Sequence, residues 1–204
     1  MIVPSMTLEE IRNEINKDYP ILLRKMGYVA HDLKKKLSKE DKAKGFVKFY
    51  DYVSKYKNKW IYRVEIKQKK SFYEAMMLYH NGKGHAAISV TNEMNIIYHT
   101  GHFFERYNER LNLGLKSLRD IICTYMNESN TIKIQELYEI EPDIYEIFSI
   151  IPSGYVLGIL NRKLWLVKAN TFITNEMLHP NQFDIITELK NNLENIHIHR
   201  EIDM

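Results

Sequence analysis

The chain has 204 residues, 45% of them hydrophobic and 27% charged, which fits one compact domain with a substantial core. It lacks any apolar run near the ~20 residues that cross a bilayer, and its N-terminal segment lacks the basic-then-apolar pattern of a signal peptide. A single cysteine, Cys123, excludes an internal disulfide and a multi-cysteine metal site, so we expect a cytoplasmic protein with no membrane partner.

The net charge is only +3, but basic and acidic residues are unevenly distributed along the chain. Residues 24–70 carry a strong excess of lysine, whereas residues 136–146 are acidic. A basic surface attracts phosphate backbones because binding releases condensed counterions. A set of solvated, lysine-rich helices has the same composition, and we favour that simpler interpretation.

The N-terminal third shows a helical pattern. Thr7 and Glu10 form a capping-box signature, and apolar residues then recur at helical spacing. Pro20 is expected to interrupt this first helix, because proline lacks a backbone N–H and its ring clashes with the preceding turn. A second helix is predicted over residues 28–37.

A third helix is predicted after Ser38. Apolar and aromatic residues recur there at spacings of three and four, which is typical of the buried face of a helix. These residues are Phe46, Phe49, Tyr50 and Val53. The three helices would make residues 1–59 a helical extension that packs on a core domain formed by residues 60–204.

Residues 60–100 are predicted to form an antiparallel β-meander. The segment that begins at Trp60 alternates in the manner of a strand and is rich in β-branched and aromatic residues. The pair Asn81-Gly82 is a strong hairpin signal, so we predict strands on both sides of it. This signal outweighs the alanine and methionines before it, which favour a helix.

After Gly101 the hydrophobic period becomes helical again. Helices are predicted over residues 102–111 and 115–126, followed by a loop or irregular strand over residues 127–143. Three apolar runs separated by turns predict three further strands, and a last helix is predicted near residues 181–193. The expected fold class is α+β, with N-terminal helices, a mostly antiparallel sheet that two helices interrupt, and a C-terminal helix.

The helix that follows Gly101 carries the strongest candidate site. At 100° per residue, one of its faces presents His102, Arg106, Glu109 and Arg110, while aromatic residues on the opposite face point towards the sheet. The glycine lets the chain turn sharply from strand to helix, so the histidine lies at the helix N-terminus. Unpaired backbone N–H groups at that position favour an anion.

These residue types suit RNA cleavage by attack of the 2′-hydroxyl on the adjacent phosphate. Histidine, which titrates near neutrality, can exchange the protons of the attacking and leaving oxygens. Arginine offers a planar, permanently charged fork to phosphate oxygens, and glutamate can orient either side chain or act as the base. Such a reaction needs neither a metal ion nor a cofactor. The competing interpretation is an exposed helix whose charged residues form i,i+4 pairs worth roughly 0.2–0.5 kcal/mol each.

The segment GHFFERYNERL, followed by a second helix and three strands that end in LWLVKANTFIT, resembles small endoribonucleases of the barnase–EndoU–colicin–RelE superfamily. The likeness is to RelE- and BrnT-like toxins and covers about residues 60–175. The positions that match are His102, Arg106, Glu109 and Arg110 on the helix and Thr171 or Thr174 on a late strand.

The resemblance implies a RelE-like core domain, a toxin-like and metal-independent endoribonuclease activity, RNA as substrate, and an antitoxin-like protein partner. In it the histidine and glutamate would share proton transfer, the two arginines would hold the phosphate, and the threonine would contact it. Toxins of this kind are usually near half the length of this chain. The added N-terminal helices would then be a fused accessory or an RNA-clamping element, or would mark a chain that kept the fold and lost the activity.

Two other interpretations stay open. The same face could belong to a non-catalytic module that binds RNA or a protein partner. Several histidines could instead converge on a metal ion with Glu105 or Glu109, although no HExxH or CxxC pattern supports this. These histidines are His80, His85, His99 and His102.

Overall fold

Nine β-strands form one sheet in the part of the chain that the computed structural model describes, residues 2–82, 84–90, 96–129 and 134–178. The strands are β1 Phe46–Val53, β2 Lys59–Lys67, β3 Lys70–His80, β4 His85–Val90, β5 Ile96–His99, β6 Ile134–Glu141, β7 Ile144–Ile151, β8 Gly154–Asn161 and β9 Leu166–Ile173. The α-helices are α1 Leu8–Lys36, α2 Lys39–Lys44, α3 Gly101–Arg110 and α4 Leu118–Glu128. A short 3₁₀ helix follows at Asn175–Met177.

The strand order is β1-β2-β3-β4-β5-β9-β8-β7-β6. Two antiparallel meanders, β1–β5 and β6–β9, are connected by α3 and α4 and meet at β5 and β9, which pair in parallel. The prediction of an α+β fold with a mostly antiparallel sheet is therefore confirmed. The C-terminal helix predicted near residues 181–193 lies outside the described residues.

Helices pack on both faces of the sheet. On one face α1 shares a buried cluster with β2 and β3, which includes Ile15, Leu22, Met26, Trp60, Tyr62 and Met77. On the other face α3 and α4 share a second cluster with the sheet, which includes Phe103, Phe104, Tyr107, Tyr125, Ile61 and Phe172. The aromatic face predicted for α3 is thus confirmed as the buried one. No helix of the described residues combines the length and apolarity needed to span a membrane.

The first helix is longer than predicted. Its capping box is confirmed, since the backbone N–H of Glu10 donates to the Thr7 hydroxyl at 3.3 Å and the Glu10 carboxylate accepts from the Thr7 backbone N–H at 2.7 Å. The interruption expected at Pro20 is wrong, because α1 continues through that residue to Lys36. The second predicted helix, residues 28–37, is the C-terminal part of α1.

Burial on both sides of Pro20 explains why the helix continues. Ile11 and Ile15 before the proline, and Leu22 and Met26 after it, are buried against the sheet, while Pro20 itself is exposed. An interior proline costs about 3 kcal/mol or more. Each fully buried aliphatic side chain contributes about 1.5–3 kcal/mol, so the four together outweigh the proline.

The helix predicted across residues 46–53 is wrong, since these residues form β1 and pair with β2. A spacing of three and four between apolar residues did not decide the conformation, because six of the eight residues of this segment are aromatic or β-branched, as strands prefer. Tyr50 stacks on Tyr62 of β2 with ring centroids 5.0 Å apart. Residues 1–59 are therefore not wholly helical, and the predicted boundary at residue 59 falls at the β1–β2 hairpin. The division into two domains stays a prediction.

The other predicted elements have counterparts in the structure with shifted bounds. The meander over residues 60–100 corresponds to β2–β5, and the two helices after it correspond to α3 and α4. The three late strands are β7, β8 and β9. Of the two alternatives for residues 127–143, the described part contains a strand, β6, whose pairing with β7 shifts register twice.

His99, the last residue of β5, is fully buried among aromatic rings. Its ring centroid lies 5.3 Å from that of Phe103, 5.7 Å from that of Phe104 and 5.2 Å from that of Tyr125, whose hydroxyl is 3.2 Å from Nε2. Burial lowers the pKa of His99 to about 3, because a charged imidazole would lose its hydration there.

The buried neutral state of His99 predicts a loss of stability in acid. Between its unfolded pKa of 6.5 and its folded pKa of about 3, the unfolded chain binds a proton that the folded chain does not. This difference lowers the free energy of unfolding by about 2 kcal/mol between pH 7 and pH 5. Urea denaturation at both pH values should show a smaller decrease for His99→Gln than for the wild type. Equal decreases would contradict the prediction.

Candidate functional site

The first turn of α3 lies unusually close to the backbone of β4. A Cβ atom on Gly101 would stand 2.3 Å from the carbonyl oxygen of His85, nearer than real Cβ atoms approach. Gly101 has a helical conformation that any residue can adopt. A glycine is therefore required here by the close approach to His85 and not by its backbone angles. The N-cap residue Thr100 accepts a hydrogen bond from the backbone N–H of Phe103 at 3.1 Å and fixes the start of the helix.

The polar face of α3 points to solvent, as predicted. The exposed fractions of the side chains are 58% for His102, 78% for Glu105, 38% for Arg106 and 65% for Glu109. Phe103, Phe104 and Tyr107 on the opposite face are fully buried.

Three of the predicted site residues form one hydrogen-bonded group. Arg106 donates from Nε to Nε2 of His102 at 3.3 Å and from Nη1 to Oε2 of Glu109 at 2.6 Å. In this arrangement the neutral imidazole carries its proton on Nδ1, which lies 3.7 Å from Oε2 of Glu105. The guanidinium thus connects a titratable ring to a carboxylate on an accessible surface.

Arg110 is turned towards the sheet instead. Its Nη1 donates to the hydroxyl of Thr171 at 3.3 Å and to the carbonyl oxygen of Phe172. Both acceptors belong to β9, and all three residues are at least partly buried. The predicted convergence of Arg110 with Thr171 is present, but the guanidinium is engaged with protein oxygens.

The end of β9 explains this contact. β5 stops at His99, which pairs with Ala169, so β9 continues without a strand on that side. Thr100 donates from its backbone N–H to the Ala169 carbonyl and from its hydroxyl to the Asn170 carbonyl, each at 3.3 Å. Arg110, at the other end of α3, donates to the carbonyl of Phe172, two residues further along β9. Thr100 and Arg110 thus supply hydrogen-bond donors that a neighbouring strand would have supplied.

Thr174, the other predicted late-strand residue, lies beyond the end of β9 at the start of the 3₁₀ helix. Its hydroxyl bonds to the carboxylate of Glu176, which is the main reason that the pKa of Glu176 lies below its usual range. Between the two threonines proposed from the sequence, the geometry associates Thr171 with α3.

The histidines proposed for a metal site do not converge. His99 is buried against Tyr125, whereas His102 lies on the exposed face of α3. His80 and His85 face each other across the β3–β4 hairpin with ring centroids 5.2 Å apart. Within the described residues, no group of three or more His, Cys, Asp or Glu side chains is arranged to hold a metal ion.

A buried charge cluster on the α4 side of the sheet was not foreseen from the sequence. Arg63 is only 4% exposed and lies 2.6 Å from Glu65 and 3.9 Å from Glu74, and its Nε donates to Asn127 of α4 at 3.2 Å. Burial raises the pKa of Glu74 to about 7, although the arginine opposes that shift. The alternation of β2 could have revealed the cluster, because it places Arg63 on the same face as the core residue Ile61.

Arg110 and Arg106 should differ in their effect on stability. Arg110→Ala is expected to lower the free energy of unfolding by about 1.5–3 kcal/mol, because it leaves the Phe172 carbonyl and Thr171 hydroxyl without a charged donor. Arg106→Ala removes only exposed contacts, to His102 and Glu109, and should cost less than about 1 kcal/mol. Urea denaturation measures both values, and equal losses would show that Arg110 has no special role at the edge of β9.

Comparison with known proteins adds no relative: no family model matches the sequence, and neither a curated protein nor a solved structure matches it significantly. The resemblance to RelE- and BrnT-like toxins therefore stays a prediction based on the quoted motif.

Proposed function

We propose that the chain is a metal-independent endoribonuclease that cleaves RNA through attack of a ribose 2′-hydroxyl on the adjacent phosphate. The observation that carries the proposal is the hydrogen-bonded group of His102, Arg106 and Glu109 on the accessible face of α3. It combines a titratable ring and a carboxylate, each about one helical turn from a permanent cation that bonds to both. RNA could approach this face without any opening of the fold.

The proposed reaction uses each member of the group once. A base, His102 or Glu109, takes the proton of the 2′-hydroxyl while that oxygen attacks phosphorus. The bond from phosphorus to the 5′-oxygen breaks, and the leaving oxygen takes a proton from the other member in its protonated form. The products are a 2′,3′-cyclic phosphate and a 5′-hydroxyl. Acid–base assistance of this kind contributes typically about 10²–10⁴-fold to a rate.

Arg106 is the residue placed to hold the phosphate, because its guanidinium lies between the two proton-transfer groups. The negative charge on the phosphorane would attract the Arg106 guanidinium away from Glu109, since a guanidinium binds phosphate oxygens as a planar fork. Arg110 and Thr171 enter the proposal as positioning residues. The bonds from Arg110 to the Thr171 hydroxyl and to the Phe172 carbonyl hold the last turn of α3 in place.

A second candidate is a non-catalytic module that binds RNA or a protein through the same face. The observation in its favour is that Glu109 neutralises Arg106 at 2.6 Å and both proton-transfer groups are more than half exposed. Charges that are exposed to water interact weakly, so these side chains would stabilise a transition state little more than the same residues free in water.

RNA cleavage in the presence of a chelator tests the proposal. The wild type should cut an end-labelled RNA and leave 2′,3′-cyclic phosphate ends, because the 2′-oxygen is the nucleophile. His102→Ala with Arg106→Ala should reduce the cleavage rate by at least about 10²-fold, since the proton-transfer and phosphate groups are removed together.

The matched control is Arg24→Ala with His31→Ala, which removes the same two residue types from exposed positions on α1. This control should cleave RNA at the wild-type rate. Cleavage that persists unchanged in the α3 double variant would end the catalytic assignment. Retention of intact RNA by the wild type, lost only in the α3 variant, would favour the binding module.

A further inference from the structure

Lysines from three separate segments meet at the end of the sheet where β2 turns into β3. The segments are the last turn of α1, the short helix α2 and the β2–β3 turn. The backbone N–H of Gln68 in that turn donates to the carbonyl of Lys42 in α2 at 2.6 Å, and Nζ of Lys34 in α1 donates to the carbonyl of Lys69. We call this surface the lysine end; its members are Lys34, Lys35, Lys36, Lys39, Lys42, Lys44, Lys67, Lys69 and Lys70.

The positive charge of the lysine end is largely uncompensated. Residues 34–44 and 67–70 contain nine lysines and only two acids, Glu40 and Asp41. Asp41 accepts a hydrogen bond from the Ser38 hydroxyl at 2.6 Å. In the described part of the chain, Lys36 and Lys44 are the only members with a carboxylate within 4.0 Å. The other seven ammonium groups therefore form a concentrated positive surface.

Helix ends account for only part of this charge. Lysines in the last turns of α1 and α2 interact favourably with the negative ends of the helix dipoles. Lys67, Lys69 and Lys70 are exposed in or beside a strand turn and have no such role. They bring three like charges next to the helix ends, which costs stability unless a polyanion binds.

The neighbouring aromatic residues indicate the kind of polyanion. Phe72 and Tyr73 follow Lys70 in β3 and are 49% and 40% exposed. Successive residues of a strand point to opposite faces of the sheet, so these rings cannot insert together into a membrane. Each can stack on a base beside the lysines, as in proteins that bind single strands. Protein interfaces, in contrast, are depleted in lysine.

The lysine end is distant from α3. In β3, Lys70 pairs with Lys67 at one end, and His80 pairs with His85 at the other. Gly101 packs on His85, so α3 starts at the second end, and its last turn contacts β9 still further away. At about 3.3 Å per residue, the two ends of β3 are about 33 Å apart. The two surfaces therefore need separate explanations.

We propose that the lysine end binds the phosphate backbone of single-stranded RNA, at a surface separate from the polar face of α3. Exposed lysines contact successive phosphates, and the rings of Phe72 and Tyr73 stack on bases beside them. The proposal stands on the charge and ring arrangement alone and does not require that the chain cleave RNA.

The test measures binding of a fluorescent 20-nucleotide RNA by anisotropy over a range of salt concentrations. All proteins carry His102→Ala and Arg106→Ala, so that cleavage cannot affect the result. Changing Lys67, Lys69 and Lys70 to glutamine should weaken binding at least about tenfold and reduce the slope of log K against log salt by about two, since each lost contact with a single strand removes about 0.7.

The matched control changes Lys55, Lys57 and Lys59 to glutamine, which removes the same charge at the opposite end of β2. Its affinity should stay within about twofold of the parent. A second variant, Lys35→Gln with Lys39→Gln, repeats the test on the helices should the first variant unfold in circular dichroism. Equal affinities of the test and control variants would overturn the proposal. Binding to phosphatidylserine vesicles in place of RNA would also overturn it, in favour of a membrane surface.

Discussion

The contact on which the candidate site depends is the close approach of α3 to the backbone of β4 and β9. At one end of the helix, Gly101 leaves just enough room for the carbonyl of His85. Along its length, Thr100 and Arg110 donate to carbonyls of β9 that have lost their strand neighbour. Because unpaired buried carbonyls are costly, α3 is held in one place and one rotation. That rotation buries Phe103 and its neighbours and turns His102, Arg106 and Glu109 to solvent.

Two arginines one turn apart on the same helix have different environments as a result. Arg110 reaches over the edge of β9 and serves the fold, whereas Arg106 lies between His102 and Glu109 and is accessible to a ligand. A helical wheel places both arginines on one face of α3. Only the position of β9 in the fold shows that the two arginines contact different partners. The proposed chemistry therefore depends on His102, Arg106 and Glu109 alone. Arg110, the fourth helical residue of the motif, stabilises the position of the helix that carries them.

The sequence predicted what local periodicity determines. The amphipathic pattern of α3, the capping box at Thr7 and the hairpin at Asn81-Gly82 all had local physical causes, and these elements are present. Features that depend on tertiary contacts were not predictable. Pro20 is tolerated only because residues on both sides of it are buried. The residues from Phe46 to Val53 form a strand because β2 is there to pair with them. Which of Thr171 and Thr174 contacts α3 could likewise not be predicted without knowing where β9 ends. The lysine end could not be recognised without the contact between α2 and the β2–β3 turn.

Substitution of glycine tests the central claim, that close packing against β4 fixes the position of α3. Gly101→Ala should lower the free energy of unfolding by about 1–3 kcal/mol and speed hydrogen exchange of the α3 amides, because its methyl group overlaps the His85 carbonyl. Gly27→Ala is the control, since Gly27 lies within α1 with no atom within 4 Å of an added Cβ, and it should raise stability by about 0.5–1 kcal/mol. A Gly101→Ala variant as stable as Gly27→Ala, with unchanged exchange in α3, would contradict the account.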